Sequence, residues 1–134
     1  MSGKFADSNV VLYTTSRDDR RAEIALGLIG DGLVVSVQVL NEAANVMSRK
    51  WKRPWTETLT LLTGLRSSCQ IVPVNEVTHH LGIEIAIRHR LSIYDSMIVA
   101  AALLANCHTL YSEDMHPGLV IENRLRVVNP FATA

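Results

Sequence analysis

Short β-branched or apolar runs in this chain are separated, in all but the last case, by stretches with helical signals. The runs are Lys4–Ala6, Leu33–Ser36, Gln70–Val74, Thr109–Tyr111 and Leu125–Val128. Parallel neighbouring strands need a crossover of a dozen or more residues, and a helix is the usual way to build one. The alternation therefore predicts an α/β fold with a parallel sheet and helices on both of its faces. At 134 residues and 48% hydrophobic content, the chain has material for one well-filled core, and positions 1–134 read as a single domain without linker, repeat or low-complexity segment.

Helix boundaries follow from local chemistry. Asp7-Ser8-Asn9 stops the first strand, and Val10–Tyr13 continues as a short helix. Asp18 and Asp19 open a helix through Arg20 to Ile29, which Gly30-Asp31-Gly32 ends. Ser36 is placed to cap a helix from Val37 to about Lys50, with Val39, Ala43, Val46 and Met47 as its apolar stripe. Pro54 suits the first turn of a helix to about Ser67, and Pro73 assigns the Gln70–Val74 strand to a sheet edge. Asn75 caps a helix to about His89, and Ser92 caps another over Ile93–Asn106. Within the latter, Met97–Ala105 is apolar all round and is expected to be buried on every side. That run has nine residues, far short of the ~20 needed to span a bilayer, and no membrane association is expected. Met1–Lys4 is too short, and lacks the apolar run, to be a signal peptide, so a cytoplasmic location is expected.

Acidic residues supply the functional signal. Asp7, Glu42, Asp95 and Asp114 fall where strands end or on the helices that follow, positions that an open parallel sheet gathers at the carboxyl ends of its strands. Each has an ordinary explanation when taken singly. Asp7 and Asp114 suit turns, Glu42 suits a solvated helix face, and Ser92 with Asp95 has capping-box spacing. Together, four carboxylates in one cleft are costly unless a divalent cation neutralises them. Zinc is not indicated, because His79, His80 and His116 have no ligand spacing and Cys69 and Cys107 lie far apart. The same two cysteines are expected to be reduced thiols.

The combination of Asp7-Ser8-Asn9, Glu42, Ile93-Tyr94-Asp95 and Leu110-Tyr111-Ser112-Glu113-Asp114 resembles the PIN-domain ribonucleases, and among them the VapC-type toxins. The resemblance runs the whole length of the chain in order. It implies a three-layer α/β/α sandwich with a parallel sheet of four to five strands in the order 3-2-1-4-5. It also implies that Asp7, Glu42, Asp95 and Asp114 hold Mg²⁺ or Mn²⁺, and that Ser8, Asn9, Ser112 and Glu113 support them, Glu113 being the alternative to Asp114. The implied activity is endonucleolytic hydrolysis of RNA, transfer RNA among the possible substrates, to 5′-phosphate and 3′-hydroxyl ends. The implied setting is the toxin of a type II toxin–antitoxin pair, a homodimer with a cognate antitoxin.

Thirteen basic and thirteen acidic residues cancel, so contact with RNA must rest on a local patch. The densest basic run, Arg49-Lys50-Trp51-Lys52-Arg53-Pro54-Trp55, interleaves cations with both tryptophans. It reads equally as a grip on phosphates and unpaired bases, as a solvated helix end, or as a protein interface. Arg17, Arg20 and Arg21 read as a solvated face. Three other functions are open to the chain. A phosphotransfer receiver wants a late lysine, and none follows Lys52; an aspartate-nucleophile phosphatase wants Asp at position 9, which is Asn. A catalytically silent PIN-fold module that binds RNA or protein is the remaining alternative.

Overall fold

The computed structural model describes residues 3–132; Met1 and Ser2, half of the segment read above as lacking a leader, lie outside the described residues. Six strands form one sheet: β1 (Lys4–Ala6), β2 (Val34–Ser36), β3 (Gln70–Val72), β4 (Thr109–Tyr111), β5 (Val120–Ile121) and β6 (Leu125–Val128). Their spatial order is β3-β2-β1-β4-β6-β5, and every pairing is parallel except the antiparallel β5–β6 pair. The five parallel strands thus follow the expected order, and the two-residue β5 extends the sheet beyond the strand expected to close it. A two-residue strand carries no alternation for sequence reading to detect.

Six α-helices complete the three-layer α/β/α arrangement: α1 (Ser8–Leu12), α2 (Asp19–Gly30), α3 (Val37–Asn45), α4 (Trp55–Ser68), α5 (Glu76–His89) and α6 (Ile93–Leu104). Their starts follow the capping chemistry. The side chains of Asp18, Ser36, Asn75 and Ser92 each accept a hydrogen bond from the backbone N–H three residues on, and Thr78 returns the Asn75 bond to complete a capping box. Pro54 sits one position before the helix it was expected to begin, as the N-cap of α4. The α3 helix does run on toward Lys50, but Val46–Lys50 is wound as a π-helical turn.

The core is the sheet's middle. Phe5, Val34, Val35, Leu110 and Val127 are essentially inaccessible to solvent, and Ile98, Val99, Leu65 and Ile85 close over them. Each such side chain stabilises the fold by roughly 1.5–3 kcal/mol on burial. α6 is buried continuously from Ser96 to Leu103, as its composition requires. Leu104 departs from that expectation at 47% exposure, because the last turn of α6 reaches the molecular surface.

Candidate functional site

The strand order reverses direction of travel at β1. From β1 the chain crosses to β2 on one side, and β4 later pairs with the other side. At such a switch point the connections leave a crevice at the carboxyl ends of the strands. Asp7 directly follows β1, and its backbone N–H donates to the Tyr111 carbonyl at 2.9 Å. Ser112 directly follows β4, and its N–H donates to the Val128 carbonyl at 3.0 Å. Both side chains therefore stand on the rigid floor of that crevice.

Asp7 is only 3% exposed, and its carboxylate is surrounded by donors. The Ser8 backbone N–H donates to Oδ1 at 2.7 Å, the Ser112 hydroxyl to Oδ2 at 2.8 Å, and the Asn9 amide to Oδ2 at 3.2 Å. Burial nevertheless pushes its pKa up to about 6, the Ser112 and Ser8 hydrogen bonds opposing the shift and the charges of Glu42 and Asp95 reinforcing it. A buried carboxyl that stays awkward to ionise despite three donors is one whose environment lacks positive charge.

Two small side chains tie the other acids to Asp7. The Ser8 hydroxyl donates to Glu42 Oε1 at 2.9 Å, while Gln38 holds the other Glu42 oxygen at 3.2 Å. Glu42 reaches this position because Ser36, at the end of β2, caps α3 and sets its rotation. The Asn9 amide bridges Asp7 and Asp114, donating to Asp114 Oδ2 at 3.1 Å, and its Oδ1 accepts from the Glu113 N–H at 3.1 Å. Ser112 Oγ accepts from the backbone N–H groups of Asp114 and Met115, both at 3.2 Å, which fixes the turn. Asp95, in the first turn of α6, makes no direct bond to the other three. Its pKa is raised by burial and by the charge of Asp114, against a hydrogen bond from Ser92, and its own charge acts on Asp7.

The four acids are thus one electrostatic group, although among the described residues no three acids, histidines or cysteines stand close enough to cage an ion by themselves. That is compatible with Mg²⁺, which commonly takes one or two protein carboxylates and retains its waters. The donors are all oxygens, the set that a hard cation prefers.

Glu113 turns away from this group. Its carboxylate accepts from the Tyr13 hydroxyl at 2.6 Å and is ion-paired with Arg21. Burial pushes the Glu113 carboxyl up, but the Tyr13 and Arg21 bonds outweigh it and hold the pKa below the usual range. Arg21 is itself stacked on the rings of Tyr13 and Phe131, 4.9 and 5.2 Å from their centroids. Sequence reading had no means to find this cluster: Arg21 and Glu113 lie far apart in the chain, and Arg21 looked like part of a solvated face.

Beside the acids opens a groove of about 570 Å³, bordered among others by Ser8, Asn9, Asp114, Lys50, Trp51 and Arg53. Of the basic run, Lys50 and Arg53 therefore border it, whereas Arg49 and Lys52 do not. Trp55 is 66% exposed, and His79, His80 and His116 are exposed on the surface. Cys69 and Cys107 are free thiols.

Residues 4–116 match the family model of the PIN domain. No curated protein matches the chain significantly in sequence. Among solved structures, a toxin–antitoxin complex from Klebsiella pneumoniae is similar with a TM-score of 0.71 at 18% identity, over 97% of this chain and 99% of that one. VapC20 of Mycobacterium tuberculosis, a toxin that cleaves the sarcin-ricin loop, is similar with a TM-score of 0.68 at 18% identity, over 83% and 89% of the two chains. VapBC2 from Rickettsia felis, bound to a DNA fragment from its promoter, has a TM-score of 0.62 at 19% identity, over 83% and 87%. At such identities the likeness is one of fold.

Proposed function

Because the chain belongs to the PIN-domain family, we propose that it is a Mg²⁺- or Mn²⁺-dependent endoribonuclease and the toxin of a type II toxin–antitoxin pair. The observation that carries this reading is Asp7, buried at the end of β1 at the sheet's switch point, with Glu42, Asp95 and Asp114 acting on or bridged to it.

Asp7, Asp95, Asp114 and Glu42 would hold the metal. When bound, the ion supplies Lewis-acid stabilisation of the charge that develops on the phosphodiester oxygens. The remaining work falls to the protein. Asp95 or Asp114 accepts a hydrogen bond from the attacking water and aims it in line at phosphorus, opposite the departing O3′, which leaves a 5′-phosphate and a 3′-hydroxyl. Ser8, Asn9 and Ser112 keep the carboxylates from reorienting, so the geometry is set before substrate arrives. Lys50 and Arg53, with Arg49 and Lys52 nearby on the same turn, attract the RNA backbone. The protein is taken to act in the cytoplasm as a homodimer held in check by a cognate antitoxin.

The test is cleavage of structured RNA, transfer RNA included, by wild type, Asp7→Asn and Asp95→Asn with Mg²⁺, Mn²⁺ or chelator, mapping the product ends. Metal-dependent cuts that leave 5′-phosphates and vanish in both variants, with circular dichroism unchanged, are expected. Cleavage retained by both purified variants would falsify the assignment. A second reading, a silent PIN-fold module that binds RNA or protein, draws on the hydrogen bonds that already satisfy the carboxylates. Metal binding without cleavage of any RNA tried would favour it.

A further inference from the structure

The end of α3 departs from a regular helix in a way that shapes the groove. The π-helical turn Val46–Lys50 is closed by Trp51 N–H donating to the Val46 carbonyl at 2.9 Å, and Arg53 N–H then donates to the Met47 carbonyl at 2.8 Å. Between them Lys52 is left-handed, with φ +52°, a conformation that side-chain-bearing residues rarely adopt. π turns and strained residues recur at functional sites because only a compensating role retains them. Here the irregularity sets Lys50, Trp51 and Arg53 along the groove that Asn9 and Asp114 border.

Three properties of that groove define its occupant. Trp51 borders the groove and is 41% exposed, so its indole is not spent in the core. Arg17 borders the same groove, and neither it nor Lys50 has an acidic partner among the described residues, while Arg53 shares Glu57 at 3.2 Å. The neighbouring acids exclude a ligand that is anionic at that end without a cation. A ligand with a flat ring for the indole and phosphates for the free cations meets these demands, and the volume of about 570 Å³ suits a nucleotide-sized group.

We propose that this groove takes an unpaired nucleotide next to the cut phosphate, with Trp51 as its stacking platform and Lys50 and Arg17 drawing the flanking phosphates. Because the base faces of a continuous duplex are covered by their neighbours, Trp51 takes part only where the strand is unpaired. The inference rests on the nuclease reading above and deepens it.

Trp51 and Trp55 are the chain's two tryptophans, so Trp55→Phe leaves Trp51 as the sole indole reporter. In chelator, where nothing is cut, that variant is titrated with oligoadenylate, and with the same strand annealed to oligouridylate. Quenching by the single strand and little change with the duplex are expected. Trp51→Ala in the otherwise native chain should weaken single-strand binding ~10- to 100-fold. Trp51→Phe should restore most of the affinity, and Lys50→Glu should flatten its salt dependence. Equal affinity of Trp51→Ala and wild type for the single strand, or equal quenching by strand and duplex, overturns the proposal. So does Trp51 emission that responds to protein concentration and not to RNA, which would mark a contact between copies of the chain. Cleavage is assayed separately in Mn²⁺. Quenching without cleavage would remove the nuclease reading and keep the unpaired-base groove; cleavage indifferent to Trp51 would do the reverse.

Discussion

A carboxyl group that releases its proton only near pH 6 couples the metal-free fold to mild changes of pH. Asp7 in the folded chain titrates at about 6 against an ordinary value of 3.8, so between these limits the folded state binds more protons than the unfolded one. The stabilisation from this group is complete below the ordinary value and is lost as pH rises through the folded one. At neutral pH in chelator, Asp7→Asn is therefore expected to melt several degrees above wild type, reflecting up to about 3 kcal/mol less whatever the Ser112 and Ser8 bonds lose. Near pH 4 the difference should shrink toward zero. Calorimetry at both pH values checks this, and a variant less stable than wild type at neutral pH would count against it. The positions of Asp7, Glu42, Asp95 and Asp114 were legible in the sequence because strand ends and helix starts have local signatures. What joins them was legible only through the family resemblance, which implied supporting roles for Ser8, Asn9 and Ser112, and it is the pairing of β1 with β4 that brings Asn9 to Asp114.

At the scale of elements, the turn after β4 is held from two sides. Asn9 and Ser112 fix its backbone from the crevice, and the pair of Glu113 with Tyr13 and Arg21 fastens it to α2 and the turn after α1. Arg21→Met keeps the aliphatic stem against Tyr13 and Phe131 but removes the guanidinium. Since the Arg21 and Glu113 side chains are 31% and 25% exposed, solvent screens the pair and the loss of stability should be small. Cleavage should suffer more, by roughly tenfold, if the pair keeps Asp114 in register. Melting curves beside single-turnover rates separate the two effects, and an unchanged rate would show that Asn9 and Ser112 suffice. Helix caps were readable from sequence because capping is a contact between near neighbours. The π-helical end of α3 was not, because nothing in Val46–Lys50 contradicts a regular helix.

For the whole molecule, an ion held by the acids would make folding and cation binding a single equilibrium. Mg²⁺ at about ten times its dissociation constant should add ~1.4 kcal/mol to wild-type stability and raise the melting temperature by a few degrees. Asp7→Asn should lose most of that increment, and equal shifts in both proteins would place the ion elsewhere. Parallel pairing was predictable from crossovers of helical length, and the strand order was what the family resemblance implied, whereas β5 escaped notice. Yet that short strand is expected to matter in concentrated solution. Without it, Leu125–Val128 would form a bare rim; β5 pairs with Leu125 and Arg126 and leaves only two residues outermost. The opposite rim, β3, is three residues long and is followed by Pro73, which has no N–H to offer. A stray strand from another chain finds no template of useful length at either rim, which protects the protein from seeding fibrils as it accumulates.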